Sequence, residues 1–323
     1  MAYTLGTTRL LQKEEVMPWV VKALQGQFVA KDFFPVTPTS LDVFKWYRYG
    51  AVGGMTPRTG ENEEGTLMHL EYGEQTGRTE FFKQRTSISG FADPVSVMSL
   101  AQNQINDLST RLALRLEFER IQAIITNRII TPARMEQLWT NLNVGGRNWI
   151  GGGGAASIRD HLIDAKNRVT QYSKIPPDTL LLGAELGGAL QKNVEAKEWD
   201  RMGDRAKEVF DTGTLNGIEQ PAANSDAAAR IGRLCGLDVY ISNATVLTDP
   251  NDEHSLQVPL LDHDAYVFKR GDMLGNTVVF RPPTVDSKPY DTFKDMQEWQ
   301  IKTAFGVVVK RPWIIYTLLN AKA

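Results

Sequence analysis

The hydrophobic positions of this chain are dominated by one long helical stretch. Asp93 can cap it and Pro94 suits a first helical position. Val97, Leu100, Ile105, Leu108, Leu112, Leu116, Ile125 and Ile129 then form a stripe that no Gly or Pro interrupts before Pro132. A mean helix has about 12 residues; one of roughly 35 would be about 50 Å long. The stripe does not keep a heptad, so the helix is expected to pack lengthwise on a sheet rather than to coil. A second helix is predicted over 157–173, where Ser157 and Asp160 make a capping box and Ile158, Leu162, Ala165, Val169 and Tyr172 share one face. Pro176 and Pro177 stop it. A third is predicted over 184–199, weakened at Gly187-Gly188, and a short N-terminal helix after Pro18 carries Val21, Leu24 and Phe28.

Strand patterns surround these helices. From Leu41 to Tyr49 apolar and aromatic residues fall on both faces, which predicts a strand covered on both sides. Thr179–Leu182, Leu237–Ser242, Ala265–Lys269 and Thr277–Arg281 read as short strands. Trp299, Ile301, Thr303, Phe305, Val307 and Val309 alternate with mostly polar residues, the clearest strand signal in the chain, and Trp313–Leu319 closes it with another apolar run. Arg201–Ala229 is mixed, with a loop expected in part of it.

Between the first strand and the long helix, Gly50 to Asp93 shows no helical period. Glycines punctuate it, Arg58–Glu64 forms an acidic tip, and strand-like runs at Thr66–Tyr72 and Arg78–Gly90 are joined by a predicted turn, Gly73–Gly77. With about 20 residues running out and back, such an arm would reach roughly 60 Å. A domain of this size has a radius of only about 20 Å, so the arm is expected to lie on a neighbouring subunit. Its candidate contact residues are Arg58, Glu61, Glu63 and Glu64 at the tip, with Arg78, Glu80 and Arg85 on the returning side.

Composition narrows the function. The 323 residues are 42% hydrophobic and 23% charged, with a formal net charge of −2, so no basic excess exists to grip phosphates. One cysteine, Cys235, excludes an internal disulfide framework. The first residues lack the apolar core of a signal peptide, and no apolar run approaches the roughly 18 residues of a membrane helix. Catalytic signals are weak. Gly151–Gly154 lacks the lysine and spacing of a phosphate loop and reads as a hinge. Asp249, Asn251, Asp252, Glu253 and His254 lack calcium-loop spacing, and Asp262, His263 and Asp264 lack further metal ligands. Cys235 sits in an apolar setting that suits a buried thiol. The chain is expected to be no enzyme and to hold no cofactor or metal.

The order of parts resembles the Hong Kong 97-type fold of major capsid proteins in tailed bacteriophages and related viruses: a short arm, an extended hairpin, a spine helix, a mixed domain and a long closing strand. The passages Arg230–Ser242 (RIGRLCGLDVYIS) and Phe305–Pro312 (FGVVVKRP) are similar to late segments of those proteins. The resemblance implies an α+β fold with an N-terminal arm at 1–49 and an extended loop at 50–93. It implies a peripheral domain from 94–175 and 291–323, and an axial domain at 176–290 with its 201–229 loop near the symmetry centres. By the same resemblance the chain would assemble as pentamers and hexamers into an icosahedral shell around double-stranded DNA, in a virion built in the host cytoplasm. With no helical extension before the arm, a separate scaffolding protein is expected, alongside a portal and in some cases a decoration protein. No motif marks a covalent crosslink. An encapsulin-like nanocompartment shares the fold and is the first alternative; a cytosolic enzyme and a tail or connector protein are the others.

Overall fold

A computed structural model describes residues 29–49, 72–89, 100–129, 138–142, 149, 158–192, 230–247, 255–261, 263–288 and 296–322. The described residues begin with a 3-10 turn, Ala30–Asp32, and the short strand β1 (Val36–Pro38). Strands β2 (Val43–Tyr49) and β3 (Tyr72–Arg78) pair antiparallel as a two-stranded ribbon, with Tyr49 opposite Tyr72. Strand β4 (Glu80–Ser89) and the helix α1 (Leu100–Asn127) follow. After β5 (Trp139–Asn141) and α2 (Ile158–Ser173), β6 (Thr179–Gly183) leads directly into α3 (Ala184–Lys192). Strands β7 (Arg230–Leu234), β8 (Leu237–Ser242), β9 (Thr245–Leu247), β10 (Gln257–Pro259) and β11 (Ala265–Phe268) are short. The two long strands β12 (Gly275–Ser287) and β13 (Met296–Val309) precede a 3-10 turn and the last strand, β14 (Ile315–Leu319).

Two sheets organise these elements. One is six-stranded in the order β5-β14-β11-β6-β8-β7; the other is four-stranded in the order β1-β12-β13-β4. Each draws strands from either side of residues 175 and 290. The six-stranded sheet holds the core. Its strand β6 is buried at every position, so it reads as an unbroken apolar run rather than an alternation. Helix α2 covers the sheet with Ile158, Leu162, Ala165 and Val169, as its spacing predicts. Ser173 takes the last buried place and Tyr172 is only partly covered. The Ser173 hydroxyl donates to the Val169 carbonyl (2.7 Å) and accepts from the Ile175 amide (3.1 Å), closing the helix before Pro176 is reached.

The long helix runs 28 residues within the described range, about 42 Å at 1.5 Å per residue. It lies along the four-stranded sheet, as its stripe implied, packed chiefly on β13 and β4. Buried positions run through Ile105, Leu108, Leu112, Ala113, Glu117, Arg120, Ile121 and Ile124. Leu116, expected inside, is only partly covered, and Glu117 occupies the buried register instead. On the facing sheet Trp299, Ile301, Thr303 and Phe305 are all buried, with Phe305 stacked on Phe82 at 4.7 Å between ring centres.

Three expectations need correction. The Gly73–Gly77 stretch is not a turn but the interior of β3, because it pairs over its whole length with β2. Gly77 is where the Trp46 ring lies down: a Cβ there would sit 2.5 Å from it. Strand β4 consequently does not fold back on its predecessor; it joins β13 in register from Glu80 opposite Phe305 to Ser89 opposite Met296. Nor is β2 covered on both faces, since Val43 and Tyr47 are 46% and 53% exposed on a ribbon with no third strand among the described residues. Finally, the strand predicted to end at Arg281 runs on to Ser287 through Pro282 and Pro283, which the ladder absorbs as register shifts at Arg281. The expected helix at residues 18–28, the acidic tip 58–64, the Gly151–Gly154 hinge and the 201–229 loop lie outside the described residues, as do 193–199 of the third helix.

Candidate assembly surface

The ribbon and the outer face of the four-stranded sheet are where the contact candidates fall. Tyr49 and Tyr72 are partners, so residues 50–71 depart and return at one end of the ribbon. Those 22 residues allow at most about 36 Å of reach, at 3.3 Å per residue each way. Arg58, Glu61, Glu63 and Glu64 belong to that stretch and lie outside the described residues. The ribbon itself is held by Lys45 to Glu74 across the pair and by Trp313 Nε1, which donates to the Tyr49 carbonyl at 2.8 Å. Arg311 lies over the Tyr49 ring at 4.8 Å.

The other three candidates do not form one group. Arg78 ends β3 and approaches Asp42 at 3.7 Å, a pair so exposed that it contributes little. Glu80 and Arg85 both lie on β4, but five residues apart and so on opposite faces. The even positions of β4 turn toward α1: Thr86 Oγ1 donates to Gln104, and Phe82 lies under Arg115 at 5.1 Å. Glu80 shares that face, where its charge helps hold the partly buried Glu119 carboxyl above its usual range, burial being the larger cause. Arg85 is on the outer face with Phe81 and Lys83.

Register sets the rest of that outer face. Lys302 is opposite Lys83, Gln300 opposite Arg85 and Ala304 opposite Phe81. Arg281 lies over Phe81 at 5.6 Å and Phe280 at 5.4 Å, Lys302 pairs with Asp286, and Lys288 pairs with Glu298 at 2.5 Å. Lys83 and Arg85 have no acidic partner among the described residues. The face is therefore basic and carries one exposed aromatic ring, Phe81, at 45% exposure. Lys83, Lys302 and Arg281 were not singled out from sequence; the register with β13 collects them beside Arg85. A crevice of about 160 Å³ separates ribbon from sheet, lined by Phe44, Trp46, Phe82 and Phe305.

Of the residues weighed for chemistry, Asp264 and Cys235 have structural partners, while 249–254 and Asp262 lie outside the described residues. Asp264 accepts from Arg128 Nη1 (2.6 Å) and from the Asn320 amide (3.0 Å), tying the end of α1 to the end of β14. The same Arg128 donates to Tyr266, whose hydroxyl is pushed far up by burial. Cys235 has φ 52° and Gly236 φ 77°, the positive pair that a tight β7–β8 hairpin turn requires. Lys166 Nζ donates to the Cys235 carbonyl at 3.2 Å. Among the described residues no group of three or more His, Cys, Asp or Glu could hold a metal, and no helix is long and apolar enough to cross a membrane.

No protein-family model matches the sequence, and no curated protein does. Solved structures match closely in shape. The chain is similar to a phage-related protein of Bordetella bronchiseptica RB50, with a TM-score of 0.63 at 15% identity over 94% of this chain and 97% of that one. It is similar to the capsid protein of cyanophage P-SCSP1u, with a TM-score of 0.62 at 12% identity over 100% and 93%. The SrpI encapsulin of Synechococcus elongatus PCC 7942 follows at 0.54 and 11% identity, over 99% and 92%. The described residues have the α+β fold of phage capsid structures.

Proposed function

We propose that this chain is a shell subunit, a major capsid protein whose pentamers and hexamers close into an icosahedral container for double-stranded DNA. The observation that carries the reading is the likeness to the cyanophage P-SCSP1u capsid structure across nearly the whole of both chains. A separate scaffolding protein, a portal and a decoration protein are the partners this reading brings with it, and the virion is its place. On this reading β2–β3 is the base of the extended loop, and both main sheets cross the proposed boundaries at 175 and 290 between peripheral and axial domains.

The proposed contact is electrostatic. The acidic tip at Glu61, Glu63 and Glu64 meets a basic face on the next copy, where Lys83 and Arg85, without an acidic partner among the described residues, receive it. Each such pair contributes about 0–1 kcal/mol, so the strength of a shell comes from repetition. An encapsulin-like nanocompartment is the second reading, favoured by the encapsulin likeness but at a lower TM-score than the cyanophage capsid. Particles purified from cells and treated with nuclease separate the two. Protected double-stranded DNA supports the capsid, a protein cargo supports the nanocompartment, and ligand turnover by a small oligomer contradicts both.

A further inference from the structure

The chain buries a carboxylate where it needs none for packing. Glu117, midway along α1, is 1% exposed, and its two oxygens accept the amides of Val29 (3.2 Å) and Ala30 (2.8 Å) from a segment 87 residues away. That segment is seated firmly. Phe33 and Phe34 are fully buried, and Phe33 meets Tyr240 and Phe268 edge-on at 5.1 Å. The Gly271 amide donates to the Phe33 carbonyl at 2.9 Å.

We infer that Glu117 makes the seating of residues 29–34 on the long helix responsive to protons, the seated state holding a proton that the lifted state releases. The segment itself covers the carboxyl, so lifting it returns Glu117 to water. The charges around it do not compensate fully. Arg120, on the same helix, is its cation, but is 7% exposed and spends its Nε on Thr277 of β12 at 3.1 Å. Asp32, on the seated segment, adds repulsion to the carboxyl while its charge also supports Arg120. The residues of β13 against the helix, Trp299, Ile301, Thr303 and Phe305, carry no titratable group, and Glu80 of β4 faces Glu119 instead. Burial therefore outweighs the two amides and Arg120 and pushes the carboxyl up from 4.5 to about 7. A carboxyl raised on seating is protonated more in the seated state between those two values, so the hold loosens as pH rises through that window. The inference concerns the single chain and stands apart from shell formation.

Hydrogen exchange of the full chain, read by mass spectrometry on peptides covering 29–34 and corrected for intrinsic exchange, tests it between about pH 5 and about pH 8.5. Protection of this segment should fall on the order of 100-fold toward the alkaline end, while peptides from β11 and β14 stay level. Glu117→Gln should remove the slope and keep the acid-side protection. A level wild-type profile overturns the inference whether or not the variant folds, and so does an unchanged slope in Glu117→Gln.

Discussion

Glu117 shows how a buried polar group differs from an apolar contact: its two oxygens accept the Val29 and Ala30 amides. Glu117→Ala leaves both buried amides without that acceptor, so it should cost about 3 kcal/mol in urea unfolding. A loss under about 1 kcal/mol would contradict the reading. Glycines offer a second contrast at this scale. At Gly275 an added Cβ would lie 1.9 Å from the Val308 carbonyl oxygen, and backbone cannot swing aside. At Gly188, in α3, nothing lies within 4 Å. Gly275→Ala should therefore destabilise by about 2 kcal/mol or more, whereas Gly188→Ala should stabilise by about 0.5–1 kcal/mol. Equal thermal shifts from the two would refute the packing argument.

The ribbon and the four-stranded sheet are the elements on which assembly is argued to depend. Deleting residues 56–64 should leave circular dichroism and unfolding unchanged, since none of the described core involves them, but should abolish or misdirect assembly. Arg85→Glu should weaken assembly in the same direction, through repulsion of the acidic tip. Normal shells from either variant would remove the electrostatic contact from the account. The elements also show what the sequence could tell. Helices α1 and α2 and strand β13 were legible because their buried faces repeat locally. The Gly73–Gly77 stretch was not, because glycines mark turns unless a distant strand claims them, and the claim here comes from the rings of Phe44 and Trp46 on β2. Glu117 was legible only in part. The steps from Ala113 through Glu117 and Arg120 to Ile124 keep helical spacing, yet a polar residue in a buried register is invisible to a hydrophobic stripe.

For the whole molecule, the order of elements carried more than any residue did. An arm, a ribbon, a spine helix and a closing strand imply their architecture together, which is why the fold agrees with structures at 12–15% identity. Contact residues are harder to reach from sequence, because a surface built for a second copy follows no internal period. The most direct test is the mass of the purified recombinant chain by size-exclusion chromatography with light scattering, and an image of its largest peak. The account predicts closed shells of megadalton mass, or pentamers and hexamers that close when a scaffolding partner is supplied. A monomer or dimer that stays so at every concentration and with every scaffold would contradict it.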